Sequence, residues 1–163
     1  MRFGMTIMAC VWTLLMSAQT LVMSDSIKVA EDFAAVTVEG QEMKLSDLPK
    51  GRLTILMFFD PDCGACRQSL FGLKHSSLVN QLISEEVLQV MTVHVGYEER
   101  LWREMLSDMP ETWIKTTQKT EMRDSKCYDL SSLPALYLLD ADRKIMVRES
   151  HAELLIPILQ GLW

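Results

Sequence analysis

Strand-like and helix-like patterns alternate along this chain. Strand-like segments lie at 33–38, 53–59, 87–95, 112–117, 135–139 and 144–148. Leucines at helical spacing follow the second run at Leu70, Leu73, Leu78 and Leu82, and further helices are predicted at 98–106 and 153–162. Turns are predicted at Gly40, at 46–51 and at 140–143, and residues 122–129 are expected to form a loop or a helical turn. This order predicts an α/β fold in which the strand at 53–59 is covered on both faces.

The start of the last helix carries two signals. Ser150 and Glu153 have the spacing of a capping box, which predicts a helix N-terminus there. Pro157 falls inside the same apolar pattern, and we expect it to kink or restart the helix.

Size and charge limit the classes of protein that fit. The chain has 163 residues, 48% of them apolar, without an internal repeat, so one well-packed domain is expected. The 22 acidic residues outnumber the 16 basic residues, which gives a net charge of -6. Such a chain has no basic stripe for a phosphate backbone, so nucleic acid is not an expected partner.

The first 24 residues have the features of a secretory signal peptide. Arg2 gives a positive start, residues 5–16 are mostly apolar, and small residues follow. Cleavage fits either after Ala18 or after Ser24.

An uncleaved membrane anchor is the alternative for this segment. Residues 3–23 have about the roughly 20 residues that a spanning helix needs. Cys10 lies inside this segment and is expected to leave with the signal. We therefore expect an exported protein of the bacterial periplasm or cell envelope, with residues 25–163 as the folded domain.

Two cysteines separated by two residues stand where the strand at 53–59 gives way to a helix. Cys63 lies at the expected helix N-terminus, where unpaired N–H groups and the helix dipole favour a thiolate. Cys66 lies one turn further on, within disulfide reach. A bridge across so small a loop stabilises a fold little, so a catalytic dithiol fits better than a structural one. Cys63 is then the attacking thiol and Cys66 the resolving thiol.

Three charged residues flank this motif. Asp60 and Asp62 place negative charge beside Cys63, which disfavours its thiolate, and Arg67 could offset them. Alternatively, the two carboxylates serve turn formation and N-capping, and Arg67 is a solvated helix residue. If the charges act on the sulfur, the reduced form is less stabilised than in strong oxidants, which favours a reductase.

The remaining cysteine and the histidines offer weaker candidates. Cys127 is either a third redox thiol or, as we favour, a buried inert one. A C-x-x-C pair could be half of a zinc site, but Cys127, His75, His94 and His151 are scattered singly, so no metal is expected. His94 lies near the C-terminal end of its strand, where ligand sites collect, yet a structural role is favoured.

Several motifs from Glu31 to the C-terminus resemble the thioredoxin superfamily, and more narrowly the TlpA-like exported thiol-disulfide oxidoreductases. They are the start at 31–34, the segment 45–48, the C-x-x-C helix and the segment 132–140. The resemblance implies a single domain with a central mixed sheet flanked by helices. It also implies a cis bond before Pro134, packed beside the dithiol. Leu133 and Pro134 would then present backbone to an extended substrate strand.

Four positions depart from the pattern of that family. Met57 stands where relatives often carry a buried Asp or Asn that assists proton transfer. Asp62 stands where a Trp is usual, and Ser69 and Phe71 stand where many TlpA-like proteins carry Glu and Pro. These differences bear on which redox pathway the protein serves more than on its fold.

The expected function is thiol-disulfide exchange with envelope proteins through Cys63 and Cys66. The expected partners are protein thiols or disulfides and an unidentified envelope electron donor, with a membrane only if the N-terminal segment is retained as an anchor. No dissociable cofactor is expected, because electrons would pass through the dithiol. A redox-silent interaction module of the same fold is one alternative. A peroxiredoxin-like peroxidase is another, disfavoured because Asp60 stands where such enzymes need Thr or Ser.

Overall fold

The computed structural model describes residues 28–119 and 127–163. Within these ranges, seven strands form one mixed sheet in the order β2-β1-β5-β4-β3-β6-β7. The strands are β1 (Ala34–Thr37), β2 (Glu42–Lys44), β3 (Leu53–Phe59), β4 (Leu88–His94), β5 (Ile114–Gln118), β6 (Ala135–Leu139) and β7 (Ile145–Glu149). The helices are α1 (Gly64–His75), α2 (Ser77–Ser84), α3 (Glu99–Met105) and α4 (Ala152–Leu162). The predicted signal segment and most of the predicted loop at 122–129 lie outside the described residues.

The strand that precedes the C-x-x-C motif lies near the middle of the sheet. β3 pairs in parallel with β4, with Phe59 opposite His94, and antiparallel with β6. Six of its seven residues are buried, which explains why this strand reads as a continuous apolar run. The predicted strand at 53–59 is confirmed, and its last residue leads directly into the loop that carries the two cysteines.

Two apolar cores cover the two faces of this sheet. The first contains Ile55, Met57 and Phe59 of β3 together with buried residues of all four described helices. The second contains Leu56 and Phe58 of β3 and is closed by residues of the segments 30–48 and 127–130 rather than by the α-helices. The helices therefore pack on the face to which Cys66 also belongs.

The leucine repeat forms two helices rather than one. α1 ends at His75, and α2 starts one residue after Ser76, whose hydroxyl accepts a hydrogen bond from the Val79 N–H at 3.3 Å. Serine is a favoured N-cap because its oxygen satisfies one of the unpaired N–H groups of the first turn. The apolar spacing continues across the break because both helices cover the same core.

The prediction for the start of α4 is wrong. His151, not Ser150, is the N-cap, and it makes no side-chain cap. The first helical N–H, that of Ala152, instead donates to the hydroxyl of Ser69 on α1 at 3.2 Å. Of the kink or restart expected at Pro157, the restart is not found, since α4 is one element from Ala152 to Leu162. Buried Leu155 and Leu159, which lie on either side of this proline in sequence, pack into the first core.

Three shorter features complete the described chain. β2 was not predicted, and short 3-10 turns occur at Leu45–Asp47 and at Leu106–Asp108, where the second extends α3. Within 28–119 and 127–163, none of the helices has both the length and the apolar character needed to cross a membrane.

Candidate active site

The loop after β3 places Cys63 at the N-terminus of α1. Oδ1 of Asp60 accepts the Asp62 N–H at 3.0 Å, and the Asp60 carbonyl accepts the Cys63 N–H at 3.1 Å, so Asp60 organises the turn. Cys63 is itself the N-cap residue, and its sulfur accepts the Cys66 N–H at 3.1 Å. A sulfur in this position can carry negative charge, because unpaired helix N–H groups and the helix dipole stabilise an anion there.

The second cysteine is in a very different environment. Cys63 is half-buried, whereas Cys66 is fully buried in the first core, and both are thiols in this structure. Burial raises the pKa of the Cys66 thiol, and its hydrogen bond with Cys63 raises it further. Hydrogen bonding from the Asp60 backbone acts in the opposite direction. The pair therefore combines an accessible sulfur with a sulfur that retains its proton.

The segment before β6 meets the exposed cysteine. The Leu133–Pro134 bond is cis, as predicted. The Leu133 carbonyl lies 3.5 Å from the Cys63 sulfur, and Pro134 is buried at the start of β6, which pairs with β3. The structure thus brings the two cysteines together with Leu133 and Pro134. Cys63 and Leu133 are 70 positions apart in the sequence.

The three flanking charges occupy distinct places. Asp62 is exposed, and Arg67 donates to the Pro61 carbonyl at 2.7 Å. Asp60 is half-buried, and its carboxylate lies so close to Gly96 that a Cβ there would be 2.6 Å from Oδ2. The turn-forming role suggested for Asp60 is confirmed. N-capping by either aspartate is wrong, because the Cys63 sulfur occupies that position.

His94 is a buried residue at the end of β4. Its Nδ1 lies 3.1 Å from the Thr117 hydroxyl, and its ring stacks on Trp102 with centroids 5.6 Å apart. Burial lowers the pKa of His94, while the charges of Asp60 and Glu99 act in the opposite direction. The ring is therefore packed as a neutral structural group beside the candidate site.

Cys127 packs against a different core from the two cysteines of the dithiol. It is half-buried rather than buried as expected, and its sulfur accepts the Glu31 N–H at 3.4 Å. It packs against the second core, whereas Cys63 and Cys66 belong to the first. Among the residues that the structure describes, no three His, Cys, Asp or Glu side chains are grouped to hold a metal ion.

Sequence reasoning missed the roles of two residues in and near the site. Gly96 gives room to the Asp60 carboxylate, and its only sequence signal is a glycine directly after an apolar strand. Ser69 is fully buried and bonds α1 to α4. Its signal is a hydroxyl on the apolar face of the helix, between Cys66 and Leu73.

Comparisons with solved structures place the chain among thioredoxin-like proteins. A thioredoxin-like protein from Bacteroides caccae is 27% identical with a TM-score of 0.75, over 83% of this chain and 49% of that one. A conserved protein of unknown function from Bacteroides fragilis is 30% identical with a TM-score of 0.72, over 80% of this chain and 96% of that one. This chain thus spans about half the length of the first structure, 49%, and nearly all of the second, 96%.

A third comparison supports the fold alone. The thioredoxin domain of a thiol-disulfide oxidoreductase from Bacteroides vulgatus is 18% identical with a TM-score of 0.71, over 83% of this chain and 96% of that one. No family model matches the sequence, and no curated protein sequence matches it.

Proposed function

The chain belongs to the thioredoxin superfamily, and on that premise we propose that it is a protein thiol-disulfide oxidoreductase. Cys63 attacks a substrate disulfide, and Cys66 resolves the mixed disulfide that results. The observation that carries this proposal is the position of the Cys63 sulfur, which accepts the Cys66 N–H at 3.1 Å and lies 3.5 Å from the Leu133 carbonyl. The contact with the Cys66 N–H stabilises a thiolate, and the contact with Leu133 places that sulfur beside the backbone that leads into β6.

The reaction consists of two exchange steps. The Cys63 thiolate attacks one sulfur of a substrate disulfide, and the other substrate sulfur leaves as a thiolate. Cys66 then loses its proton and attacks the Cys63 sulfur, which releases the second substrate sulfur and forms the Cys63–Cys66 disulfide. A substrate with two thiols is oxidised by the reverse sequence. No dissociable cofactor takes part in this scheme.

The substrates that fit this site are proteins with an accessible extended segment. Leu133 and Pro134 lead into β6 directly beside Cys63, and Pro134 has no N–H to occupy a neighbouring backbone acceptor. An extended substrate backbone could therefore align next to the attacked disulfide. The other proposed partner is an electron donor of the cell envelope, since the signal-like residues 1–24 point to export.

We propose that the protein acts mainly as a reductase. Cys66 is buried, and its raised pKa makes the protonated thiol its stable reduced form. Asp60 adds negative charge that is only partly screened, because its side chain is half-buried. Arg67 is held on the Pro61 carbonyl. Within residues 28–119 and 127–163 no lysine or arginine is buried where it could stabilise a reduced dithiolate, so the potential should lie nearer about -270 mV than about -120 mV.

Two measurements test the proposal. Cys66→Ser should accumulate mixed disulfides with envelope proteins, whereas Cys63→Ser should accumulate none. Equilibration of the Cys63/Cys66 pair with glutathione should give a potential in the lower part of the range. A potential near -120 mV would refute the reductase direction. Absence of any mixed disulfide and of turnover with a small disulfide would indicate a redox-silent module instead.

A further inference from the structure

One side of α1 borders a groove that neither Cys63 nor Cys66 lines. The groove has a volume of about 440 Å³, and its other walls are formed by α3, by the 3-10 turn that follows α3 and by the segment at 109–113. Ligand sites in proteins have volumes of roughly 300 to 1,000 Å³ and are mostly apolar, with a few polar groups that converge on the ligand. The groove therefore has the size of a site for a small organic molecule.

The inner surface of this groove is apolar. Leu70, Met109 and Trp113 line it and are only 7%, 6% and 4% exposed. Phe71 also lines it but is 64% exposed. The Phe71 ring packs against the ring of His75 with centroids 4.0 Å apart, and the His75 Nδ1 lies 2.9 Å from the Phe71 carbonyl. The groove thus combines a buried apolar floor with an exposed aromatic wall that is held in place.

Two fixed cations line the same groove. Arg67 donates to the Pro61 carbonyl at 2.7 Å, and Lys74 donates to the Asp108 carbonyl at 2.7 Å. Both acceptors are main-chain carbonyls, so each side chain is held without its charge being neutralised. Among the residues that the structure describes, neither cation has an ion-pair partner, whereas α3 on the other side of the groove forms two exposed ion pairs of its own.

The unneutralised cations indicate the charge of the ligand. Lys74 is half-buried, so its charge is screened less than that of the exposed Arg67. An ammonium group has three donors, and one of them is used on the Asp108 carbonyl, so two remain for an anion. The chain as a whole has a net charge of -6, so attraction of an anion is a local feature of this groove rather than a property of the whole surface.

Two other occupants match the groove less well. The apolar residues 5–16 of this chain could cover an apolar floor, but residues 1–24 contain no Asp or Glu to pair with the cations. Specific protein partners bury about 1,200 to 2,000 Å² in an interface, whereas the apolar surface described here is confined to one groove. A small anion with an apolar body fits both the volume and the charge.

We propose that this groove binds a small organic carboxylate with an apolar chain or ring. Its carboxylate pairs with the Lys74 ammonium, and its apolar part lies on the buried floor against Phe71. Arg67 adds a second, weaker attraction because its side chain is exposed. Since neither cysteine lines the groove, this site is additional to the thiol-disulfide site and does not depend on the exchange reaction proposed above.

Titration of the isotope-labelled, reduced protein with decanoate, followed by the backbone and indole N–H signals in NMR spectra, tests this proposal. Decanoate is kept below its micelle concentration. Saturable shifts should occur in the groove, at Phe71 and at the Trp113 indole N–H, and not at the exposed Trp163. Hexanoate, which has four fewer methylenes, should bind at least about tenfold more weakly, because each fully buried methylene strengthens binding about fourfold.

The charge of the ligand and the charge of Lys74 are then changed separately. Decylammonium has the same chain with the opposite charge and should bind at least about fivefold more weakly than decanoate. Lys74→Gln removes the charge but keeps a donor for the Asp108 carbonyl, and it should weaken decanoate binding at least about fivefold. Lys74→Arg should restore the affinity to within about twofold of the parent. Lys50→Gln is the matched control, at an exposed cation outside the groove, and should leave the affinity within about twofold.

Several results would overturn the proposal. They are the absence of saturable shifts, shifts centred on the exposed apolar residues Leu162 and Trp163 of the C-terminal end, equal binding of decylammonium, and an unchanged affinity in Lys74→Gln. Broadening of the groove signals that grows with protein concentration and disappears on addition of decanoate would assign the groove to a second copy of the chain instead. If Lys74→Gln does not fold, the comparison of decanoate with decylammonium on the parent protein decides.

Discussion

Ser69→Ala should destabilise the protein because one hydroxyl of α1 caps the N-terminus of α4. The Ser69 oxygen accepts the Ala152 N–H at 3.2 Å, and both residues are fully buried. His151, the N-cap residue of α4, provides no side-chain bond of its own. The substitution therefore leaves a buried N–H without an acceptor, and the lost oxygen makes little room for water.

The expected magnitude follows from these contacts. A buried donor without a partner costs about 1 to 3 kcal/mol, and loss of an N-cap costs about 0.5 to 2 kcal/mol. These figures describe the same event, so they are not added. Because Ala152 is fully buried, a loss of about 2 kcal/mol in the free energy of unfolding is expected. With a urea slope of about 2 kcal/mol per molar, the midpoint should fall by about 1 M.

Urea unfolding of the fully reduced protein, followed by circular dichroism, measures this effect. Gln68→Ala is the matched control, because Gln68 also bonds to α4 through Glu153 at 3.1 Å, but on the exposed surface. It should change the free energy of unfolding by less than about 0.5 kcal/mol. If Ser69→Ala is no more destabilising than Gln68→Ala, the buried cap does not stabilise α4 as described.

Three further predictions use the same methods or a simple assay. Burial lowers the pKa of His94 below its ordinary value of 6.5, so the stability that the neutral ring contributes is present above about pH 6.5 and is lost as the pH falls. His94→Gln should therefore reduce the loss of stability between pH 7 and pH 5. His75→Gln is the control at an exposed residue and should leave that loss unchanged. Cys127→Ser should leave turnover of a small disulfide within about twofold, and a large loss would make Cys127 a participant. Leu73→Ala should cost about 2 to 5 kcal/mol in urea unfolding, because Leu73 is fully buried, and the exposed Leu154→Ala should cost far less.

The strands of the fold were predictable where burial is continuous. β3 coincides with the apolar run at 53–59 because both of its faces are covered by apolar cores. β2 was not predictable, because its three residues lie at the edge of the sheet with little burial and are too few to establish an alternating pattern. The break at Ser76 was signalled by a serine at N-cap position, but the unbroken leucine spacing obscured it. Local sequence patterns therefore predict which helices and strands form, whereas tertiary packing determines where they begin and end.

The cysteine segment and the Leu133 segment of the candidate site also differ in how far local sequence predicts them. The cysteines and their position at a helix start follow from local sequence, whereas the contact of Leu133 with Cys63 depends on the pairing of β3 with β6. The capping prediction at Ser150 failed because the first N–H of α4 is satisfied by Ser69 from another helix. The close approach of Asp60 to Gly96 arises in the same way, from segments that are distant in sequence.

The residues that depart from the family pattern have consistent structural uses. Met57 is buried in the core to which Cys66 also belongs, at the position where the resemblance leads one to expect a buried acid. Ser69 replaces a glutamate of many TlpA-like proteins and caps α4. One position thus serves the packing of the core, and the other serves the contact between α1 and α4. The Asp60 carboxylate, in the loop before α1, is fixed by the Asp62 N–H and by the space that Gly96 leaves, and the Asp60 carbonyl accepts the Cys63 N–H, so this residue organises the turn that carries the exposed cysteine.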